Sequence, residues 1–524
     1  MGDMEINTAV VDDGISEKLY NTGDMKYNIE ILADLTIRER KNYDAYAQSH
    51  ATTCAAIIRK YAEGAPVSSI KILDNERKTG RKGQLIAAIS WCTENNIRLI
   101  NLSLGTIDFR DFQDIKKCIN HAAGKGIIIV AACNNRNVFT YPACLSNVIG
   151  VRSRKIYFDD QFSINLNPLD GIDILASGRH RLTDTFHKEL CTGAANSFAA
   201  PMISAKVYNI LKRKGFISLE EIKRELHKEA SSFLGEAYNP YMKLNTDWVG
   251  SAIIINVGLK NDKYPDLYSR VFKVLKIINI DTAECTDAIL DAVRREAGFF
   301  KSADAVVVNA PEGDYGFEPA LLECCKSLGV NVVVIQNSGS VTSTDRNAEV
   351  DGIRVWRPFH YINAVHKSAG KESGPDIPVV AVYGEEGHVL SDMLYKLNLM
   401  FRKDGYYSVP VSNICGDILM EAEYLPDGVE VGGYLSDVYK KYCCDLILMS
   451  LKYDAGSQQH IAGIRSSIDI DVELYIAGKE GLHISGAEGM SENHLVCEYS
   501  GELKENEVIE AYDKIIKLFN ADNP

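Results

Sequence analysis

The chain has 524 residues, of which 46% are apolar and 24% are charged, and its formal net charge is −14 at pH 7. This length exceeds what one hydrophobic core supports, so two to four domains are expected. The negative charge argues against nucleic acid or an anionic membrane as the main partner, and no apolar run reaches the ~18 residues that a membrane-spanning helix needs.

The thirteen cysteines are scattered without metal-ligand spacing, and free thiols in a reducing cytoplasm are the simplest explanation for them. The N-terminal segment has no basic region followed by an apolar core, so no secretory signal is predicted. A cytoplasmic location is therefore expected, with no metal or other cofactor, although a structural calcium ion is left open.

Strands and helices alternate along the first 230 residues. A short β run at 9–15 ends in Asp12, Asp13 and Gly14, and His50 precedes an apolar helical stretch that extends to Tyr61. Five further elements follow in order, namely a strand at 67–73, a helix at 84–91, a strand at 98–104, a helix at 112–123 and a strand at 127–132. Such alternation predicts the α/β fold class, with a parallel sheet covered by helices on both faces.

The stretch from Cys191 to Ala205 reads C-T-G-A-A-N-S-F-A-A-P-M-I-S-A, and an apolar helical pattern begins at Phe198. Ser197 is therefore predicted at the start of a helix, where free N–H groups and the helix dipole favour negative charge. Pro201 is expected in about the first turn, where its missing N–H costs little. Taken alone, this segment is more typical of an ordinary N-cap serine, so the accompanying motifs decide its interpretation.

Six segments, taken together and in this order, resemble the motifs of the subtilisin-like serine proteases. They are V-V-D-D-G-I with Asp12, S-H-A-T-T-C-A-A-I-I with His50, I-N-L-S-L-G ending at Gly105, A-A-C-N-N with Asn134, Y-P-A-C-L-S-N-V-I-G-V, and A-N-S-F-A-A-P with Ser197. The resemblance covers roughly residues 5–230, and it implies a subtilisin-like protease domain at 1–235.

The resemblance also implies roles for individual residues. Ser197 would be the nucleophile, His50 its general base and Asp12 the group that orients the imidazole. The side chain of Asn134 would join the Ser197 N–H in the oxyanion hole. An extended peptide would add as a strand to the backbone of Ser103, Leu104 and Gly105. The opposite wall of a mainly apolar pocket would consist of Ala131, Ala132 and Cys133, with Thr140 near its floor.

Three positions depart from the family's pattern, because Ala51, Cys133 and the pair Ala195–Asn196 stand where the family usually has Gly, Gly and Gly-Thr. Each adds a side chain where backbones approach closely, although Asn196 can still donate a hydrogen bond in place of the threonine hydroxyl. These departures leave open a degenerate subtilase that acts as a non-catalytic peptide-binding scaffold. The aspartate motif also begins about ten residues into the sequence, which leaves no room for a propeptide and favours an intracellular enzyme with a narrow substrate.

The second half predicts two smaller α/β domains of Rossmann-like or flavodoxin-like type, at 250–365 and 377–524, joined by a polar linker at 366–376. The first would contain strands at 252–257, 305–309, 331–336 and 352–357 and helices at 266–277, 286–295 and 319–328. The second would contain strands at 379–383, 446–451 and 472–477 and helices at 393–402 and 506–519.

Neither accessory domain shows a catalytic constellation, so both are predicted to bind part of the substrate, form a homo-oligomer or dock a partner enzyme. A nucleotide site at 384–392 is a remote alternative, because Glu385 and Glu386 would repel phosphate and no Gly-Lys-Ser/Thr is present. The sequence thus predicts a cytoplasmic, bacterial serine endopeptidase that cleaves a specific peptide or precursor. The whole architecture resembles the proteases that remove leader peptides from ribosomally made natural products.

Overall fold

The computed structural model describes the chain except for residues 1–5, 75–78, 137–138, 155–159, 166–170, 235–246, 259–263, 281–284, 297, 299–301, 311–316, 337–352, 357–373, 426–428, 453–457, 479–493 and 522–524. It divides into two compact units, Met1–Trp248 with Ser343–Arg354, and Val249–Thr342 with Val355–Pro524. The predicted boundaries at 235 and 365 and most of the predicted linker lie outside the described residues, so the three-domain division remains a prediction.

The first unit is built on a ten-stranded sheet. Its strands are β1 (Thr8–Asp12), β2 (Asn28–Ile31), β3 (Ile37–Glu39), β4 (Val67–Lys71), β5 (Leu99–Leu102), β6 (Ile128–Ala132), β7 (Ile149–Arg154), β8 (Phe162–Asn165), β9 (Ile174–Ser177) and β12 (Ser232–Leu234). The spatial order is β12-β8-β9-β7-β6-β5-β1-β4-β2-β3. Strands β1, β4, β5, β6 and β7 run parallel to their neighbours in this group, whereas β2–β3 and β8–β9 are antiparallel pairs.

Helices cover both faces of this sheet, as the alternating pattern predicts. They are α1 (His50–Tyr61), α2 (Lys82–Glu94), α3 (Phe112–Gly124), α4 (Asn196–Lys214) and α5 (Leu219–Glu229). One apolar core joins α1, α4 and α5 to one face, and a second joins α2 and α3 to the other. A separate hairpin, β10 (Arg181–Thr183) with β11 (Glu189–Cys191), directly precedes α4. Strands β1 and β6 are buried along their whole length, as expected for central strands of a parallel sheet that helices cover on both faces.

The second unit contains two parallel sheets. The five-stranded sheet has the order β14-β13-β15-β16-β17, with β13 (Ser251–Val257), β14 (Lys273–Ile280), β15 (Ala305–Ala310), β16 (Asn331–Gln336) and β17 (Val355–Trp356). The six-stranded sheet has the order β20-β19-β21-β18-β22-β23, with β18 (Val379–Gly384), β19 (Ser408–Ser412), β20 (Glu423–Tyr424), β21 (Leu446–Lys452), β22 (Val472–Gly478) and β23 (His494–Tyr499).

Seven α-helices are described in this second unit. They are α6 (Tyr264–Tyr268), α7 (Cys285–Arg295), α8 (Glu318–Leu328), α9 (Gly387–Lys403), α10 (Val431–Tyr442), α11 (Gln458–Ser467) and α12 (Glu505–Ala521). In the part of the chain that the structure describes, no helix is both long enough and apolar enough to cross a membrane.

One helix predicted for the second unit is wrong, and another is present but begins earlier than predicted. The predicted helix at 266–277 is the short helix α6 followed by the strand β14, which pairs in parallel with β13. The segment V-L-K-I-I-N-I is rich in β-branched residues, and pairing with a buried neighbour decides its conformation. The predicted helix at 393–402 begins six residues earlier, at Gly387, so most of the segment at 384–392 is helix and not a phosphate-binding loop. Of the predicted strand at 352–357, Val355–Trp356 is present, and its two ends lie outside the described residues.

Gly150 offers a test of the packing in the ten-stranded sheet. A Cβ atom at this position would overlap the carbonyl oxygen of Ala143 and approach that of Gly171 to 3.1 Å. We expect Gly150→Ala to destabilise the first unit by about 1–3 kcal/mol, because backbone must move to admit the methyl group. Differential scanning calorimetry of the full chain should show one transition at a lower temperature. Gly124→Ala is the control, since nothing lies within 4 Å of its Cβ, and equal melting of the two variants would contradict the packing described here.

Candidate active site

Ser197 lies in the first turn of α4, as the sequence predicts. The helix begins at Asn196, so the Ser197 N–H is among the groups that have no acceptor within the helix. The backbone before the helix is held close to Gly178, where a Cβ would come within 2.5 Å of the Ala195 carbonyl oxygen. The missing side chain of Gly178 thus allows the approach that brings the serine to the edge of the sheet.

The structure brings Asp12, His50 and Ser197 together. Nδ1 of His50 lies 2.7 Å from Oδ2 of Asp12, and Nε2 lies 3.0 Å from Oγ of Ser197. Asp12 is 1% exposed, and its other carboxylate oxygen accepts the backbone N–H of Asp13 at 2.8 Å. The imidazole therefore bridges a buried carboxylate and a hydroxyl, which is the geometry that a general base needs to activate a nucleophile.

Asp13 is a contributor that the sequence analysis did not identify. Its buried carboxylate accepts the backbone N–H of His50 at 3.2 Å and that of Ala51 at 2.8 Å. The Ser49 hydroxyl caps the same helix by accepting the Thr52 N–H at 3.0 Å. Because α1 begins at His50 itself, these bonds fix the backbone that carries the imidazole. The adjacent pair Asp12-Asp13 is visible in the sequence, but the sequence alone does not show that the first carboxylate contacts the imidazole and the second contacts the helix backbone.

The thiol of Cys54 is a second contributor missed in the sequence. It lies one turn after His50 in α1, is fully buried, and places its sulfur 3.8 Å from Nδ1 of His50. Burial lowers the pKa of His50, but the Cys54 sulfur and the Asp12 carboxylate favour the protonated ring, and the balance leaves the pKa of His50 raised above its ordinary value. The electrostatics of the site thus favour the imidazolium that forms when a base takes a proton.

His180 supports the turn that follows the serine. Its Nε2–H donates to the Phe198 carbonyl at 2.9 Å, and its Nδ1 lies 3.0 Å from the Tyr61 hydroxyl, which donates to it. Burial is the main reason that the pKa of His180 falls to about 4, so the ring is neutral at working pH. The Phe198 ring packs on the His50 ring with centroids 4.9 Å apart, and His180 thereby anchors a residue that contacts the base.

Asn134 lies in the loop after β6, and two bonds hold it there. Its Oδ1 accepts the Arg136 N–H at 2.8 Å, and its own backbone N–H donates to Oγ1 of Thr140 at 2.9 Å. With the amide oxygen occupied, the NH₂ group is the end of this side chain that can donate to a ligand. Its predicted role in an oxyanion hole remains a prediction.

Asn196 joins the start of the serine helix to this loop. Its Nδ2 donates to the Asn134 carbonyl at 2.9 Å, and its Oδ1 accepts the Ser153 N–H at 2.7 Å. Its backbone N–H donates to Oδ1 of Asn135 at 3.0 Å. The side-chain amide of Asn196 thus holds the loop of Asn134 against the helix of Ser197, and its substitution for the family's threonine hydroxyl remains a prediction.

The other two departures from the family pattern are also accommodated. Ala51 is fully buried in the core that contains α1 and α4. Cys133 is 5% exposed, with its sulfur 3.8 Å from Oγ1 of Thr140 and 3.9 Å from Nη2 of Arg152. Neither side chain prevents the three residues of the predicted triad from meeting.

The predicted substrate-binding residues fall into two groups. Ser103, Leu104 and Gly105 follow β5 directly, with Ser103 and Leu104 half-buried and Gly105 exposed. A side chain at 105 would meet the Tyr141 carbonyl at 2.7 Å, so glycine is needed there. The second group, Ala131, Ala132 and Cys133, is buried, with side chains in the two cores of the sheet. Their contribution to a pocket wall, and that of Thr140 to its floor, remain predictions.

Among the described residues, one group of His, Cys and acidic side chains is compact enough to hold a metal ion. It consists of Asp12, His50 and Cys54, whose ligand atoms lie within 4.8 Å of one another. An ion there would occupy Nδ1 of His50 and replace its hydrogen bond to Asp12, so these residues suit a general base better than a resident metal. The expectation of no cofactor, with calcium left open, stays a prediction.

Comparison with known proteins assigns this region to a family. Residues 4–253 match the family model described as the subtilase family. The chain is similar to the major intracellular serine protease of Bacillus subtilis, with 27% identity over 151 residues, which is 27% of this chain and 46% of that protein. It is also similar to subtilisin DY of Bacillus licheniformis, with 21% identity over 250 residues, 44% of this chain and 86% of that one.

A similar solved structure is the nisin leader peptidase NisP from Lactococcus lactis, at 19% identity and a TM-score of 0.33, covering 42% of this chain and 81% of that chain. The match to the B. subtilis intracellular protease spans less than half of that relative's length. The family resemblance predicted from the motifs is therefore confirmed for residues 4–253.

The raised pKa of His50 predicts the pH dependence of any activity at this site. A general base must be neutral, so activity is absent below the pKa of His50 and rises with pH through it. Removing the sulfur in Cys54→Ala removes an interaction that favours the protonated ring, and the acid limb of kcat/KM should move to lower pH.

The control for this experiment is Cys92→Ala, which removes another fully buried thiol, in α2, and should leave the acid limb in place. The dependence of kcat/KM on pH can be measured with any peptide that the protein cleaves. An acid limb that stays fixed or moves to higher pH in Cys54→Ala would contradict the electrostatic role given to this sulfur.

Proposed function

We propose that this protein is a serine endopeptidase in which Ser197 is the nucleophile, His50 the general base and Asp12 the orienting carboxylate. The observation that carries the proposal is the continuous link from Asp12 through His50 to Ser197, with distances of 2.7 Å and 3.0 Å. A serine hydroxyl is a poor nucleophile until a base takes its proton, and this link provides that base in the required orientation.

The reaction would proceed in two halves. Ser197 Oγ bonds to the scissile carbonyl carbon while His50 takes the hydroxyl proton, and Asp12 stabilises the resulting imidazolium. The amide side chain of Asn134 and the Ser197 N–H donate to the oxyanion. His50 then protonates the leaving amine as the C–N bond breaks, which leaves an acyl-enzyme. Water attacks this ester with His50 again as base, and the hydroxyl of Ser197 is restored.

We further propose a narrow substrate, namely a specific peptide or precursor protein that binds in extended form along Ser103–Gly105. Main-chain pairing to such a segment gives affinity with little sequence preference, so selectivity would come from additional binding surfaces. The two parallel sheets of the second unit are candidates for that task, through direct contact with the substrate, homo-oligomerisation or docking of a partner enzyme. Leader-peptide removal from a ribosomally made natural product is the specific case that we favour.

The cysteines support a reducing compartment as the place of action. All twelve cysteines whose side chains the structure describes are free, and eight of them are buried, including Cys54 beside the proposed base. Thiols persist in the cytoplasm, where disulfides are rare. We therefore propose a cytoplasmic enzyme, in agreement with the intracellular location stated in the name of the B. subtilis relative.

The activity can be tested without knowledge of the natural substrate. A peptide library derived from a bacterial proteome is incubated with the protein, and new termini are identified by mass spectrometry. Wild type should produce a defined set of cleavages, and Ser197→Ala should reduce their rate by about 10⁶-fold. Asn134→Ala should lower kcat by about 10²–10³-fold, because it removes one donor to the oxyanion.

The non-catalytic scaffold makes the opposite prediction. Peptides would then bind with an affinity that Ser197→Ala does not change, and no new termini would form in the wild-type reaction. That result, obtained with protein whose melting transition shows it to be folded, would contradict the proposed hydrolysis.

A further inference from the structure

Pro201 leaves the carbonyl group of Ser197 without its helical hydrogen-bond donor. In an α-helix each N–H donates to the carbonyl four residues earlier, and proline has no N–H to give. Pro201 is the sixth residue of α4. The carbonyl four residues before it, which therefore receives no helical hydrogen bond from residue 201, is that of Ser197. The sequence-based expectation places this proline in about the first turn, whereas at the sixth position its missing N–H leaves the carbonyl of the proposed nucleophile without a helical donor.

The hydroxyl of Ser103 supplies the missing donor. Its Oγ lies 2.8 Å from the Ser197 carbonyl oxygen, which is an ordinary hydrogen-bond length. The Cys54 sulfur approaches the same oxygen more distantly, at 3.8 Å. Ser103 follows β5 directly, so this bond attaches the start of the serine helix to the edge of the ten-stranded sheet.

A buried chain of hydrogen bonds directs the Ser103 proton toward that carbonyl. The Ser204 hydroxyl donates to Oδ1 of Asn101 at 2.9 Å, and Nδ2 of Asn101 donates to Oγ of Ser103 at 3.1 Å. Asn101 and Ser204 are both 0% exposed. Since Ser103 accepts the amide proton, its own single proton is left for the Ser197 carbonyl, and the aligned donors strengthen one another.

The chain of bonds begins and ends on the same helix. Ser204 and Ser197 are seven residues apart in α4, which is about two turns and places them on one face. Asn101 and Ser103, by contrast, belong to the end of β5 and the segment after it. The network therefore fixes two successive turns of α4 against the segment at which a peptide substrate is expected to pair.

We propose that Ser103 is a positioning residue for hydrolysis, which holds the Ser197 carbonyl that Pro201 leaves unpaired and so keeps the nucleophile in register with the substrate-binding segment. The inference rests on the proposed function, and it assigns to the Ser103 side chain a role separate from the backbone pairing expected of residues 103–105. A displacement of the nucleophile by about 1 Å is enough to cost on the order of 10²-fold in rate.

A double-mutant cycle between Ser103 and Pro201 tests this inference. The readout is the rate at which a fluorophosphonate probe labels Ser197, which needs no peptide substrate. Ser103→Ala should slow labelling by about 10- to 100-fold. Pro201→Ala restores an N–H opposite the Ser197 carbonyl, so adding Ser103→Ala to that variant should slow labelling by less than about threefold.

Ser231→Ala is the matched control, because its hydroxyl also donates to a backbone carbonyl, that of Phe162, at 2.9 Å. It should label at the wild-type rate. Melting curves establish that each variant is folded. If Ser103→Ala does not fold, Ser204→Ala replaces it in the cycle, since it breaks the chain at its far end and should show a smaller loss that Pro201→Ala again reduces.

Equal losses in the two backgrounds, or labelling of Ser103→Ala at the wild-type rate, would overturn the positioning role while leaving the proposed protease intact. A wild-type protein that the probe does not label would contradict the proposed function and this inference together. The two failures are thus distinguishable.

Discussion

The hydrogen bonds of one imidazole, that of His50, depend on the correct assembly of the first unit. The hydrogen bonds of His50 reach across 38 residues of sequence to Asp12 and across 147 to Ser197, so they exist only when β1, α1 and α4 occupy their places around the same sheet. Asp12 is the last residue of β1, and His50 and Ser197 lie in the first turns of their helices. The carboxyl edge of a parallel sheet is where such strand and helix ends meet, which explains why this fold suits the site.

The residues around these three side chains act mainly on backbone positions. Asp13 fixes the start of α1, His180 holds the Phe198 carbonyl, and Asn196 ties the loop of Asn134 to the helix of Ser197. The Ser103 hydroxyl donates to the Ser197 carbonyl, which lacks a helical donor because residue 201 is proline. Preorganisation of this kind is valuable in catalysis because the groups need no rearrangement as charge develops. The three departures from the family pattern are compatible with this arrangement.

The α/β class and the candidate catalytic residues could be predicted from the sequence because their signals are local. Buried strands such as I-I-V-A-A are continuous apolar runs, and small residues cluster around Asp12, His50 and Ser197. The supporting residues could not be predicted, because the contacts of Asn101, Cys54 and Ser204 form only after folding. The error at 266–277 has a similar cause. The apolar residues there fit both the helical and the strand periodicity, and pairing with β13 stabilises the strand. The second unit's role stays a proposal. The buried carboxylate of Asp417, in the segment between β19 and β20, accepts the hydroxyls of Ser391 and Ser412 at 2.5 Å each and supports the packing of this unit.

A crystal structure of the chain after reaction with a peptidyl phosphonate tests most directly whether His50 acts as the base for Ser197 while Asp12 orients the imidazole. The account predicts phosphorus bonded to Oγ of Ser197 and Nε2 of His50 within about 3 Å of the adduct. It also predicts a hydrogen bond from Nδ1 of His50 to Asp12, and the phosphonyl oxygen facing the Asn134 amide and the Ser197 N–H. Phosphorus on another residue, or an imidazole turned away from both Asp12 and the adduct, would contradict it.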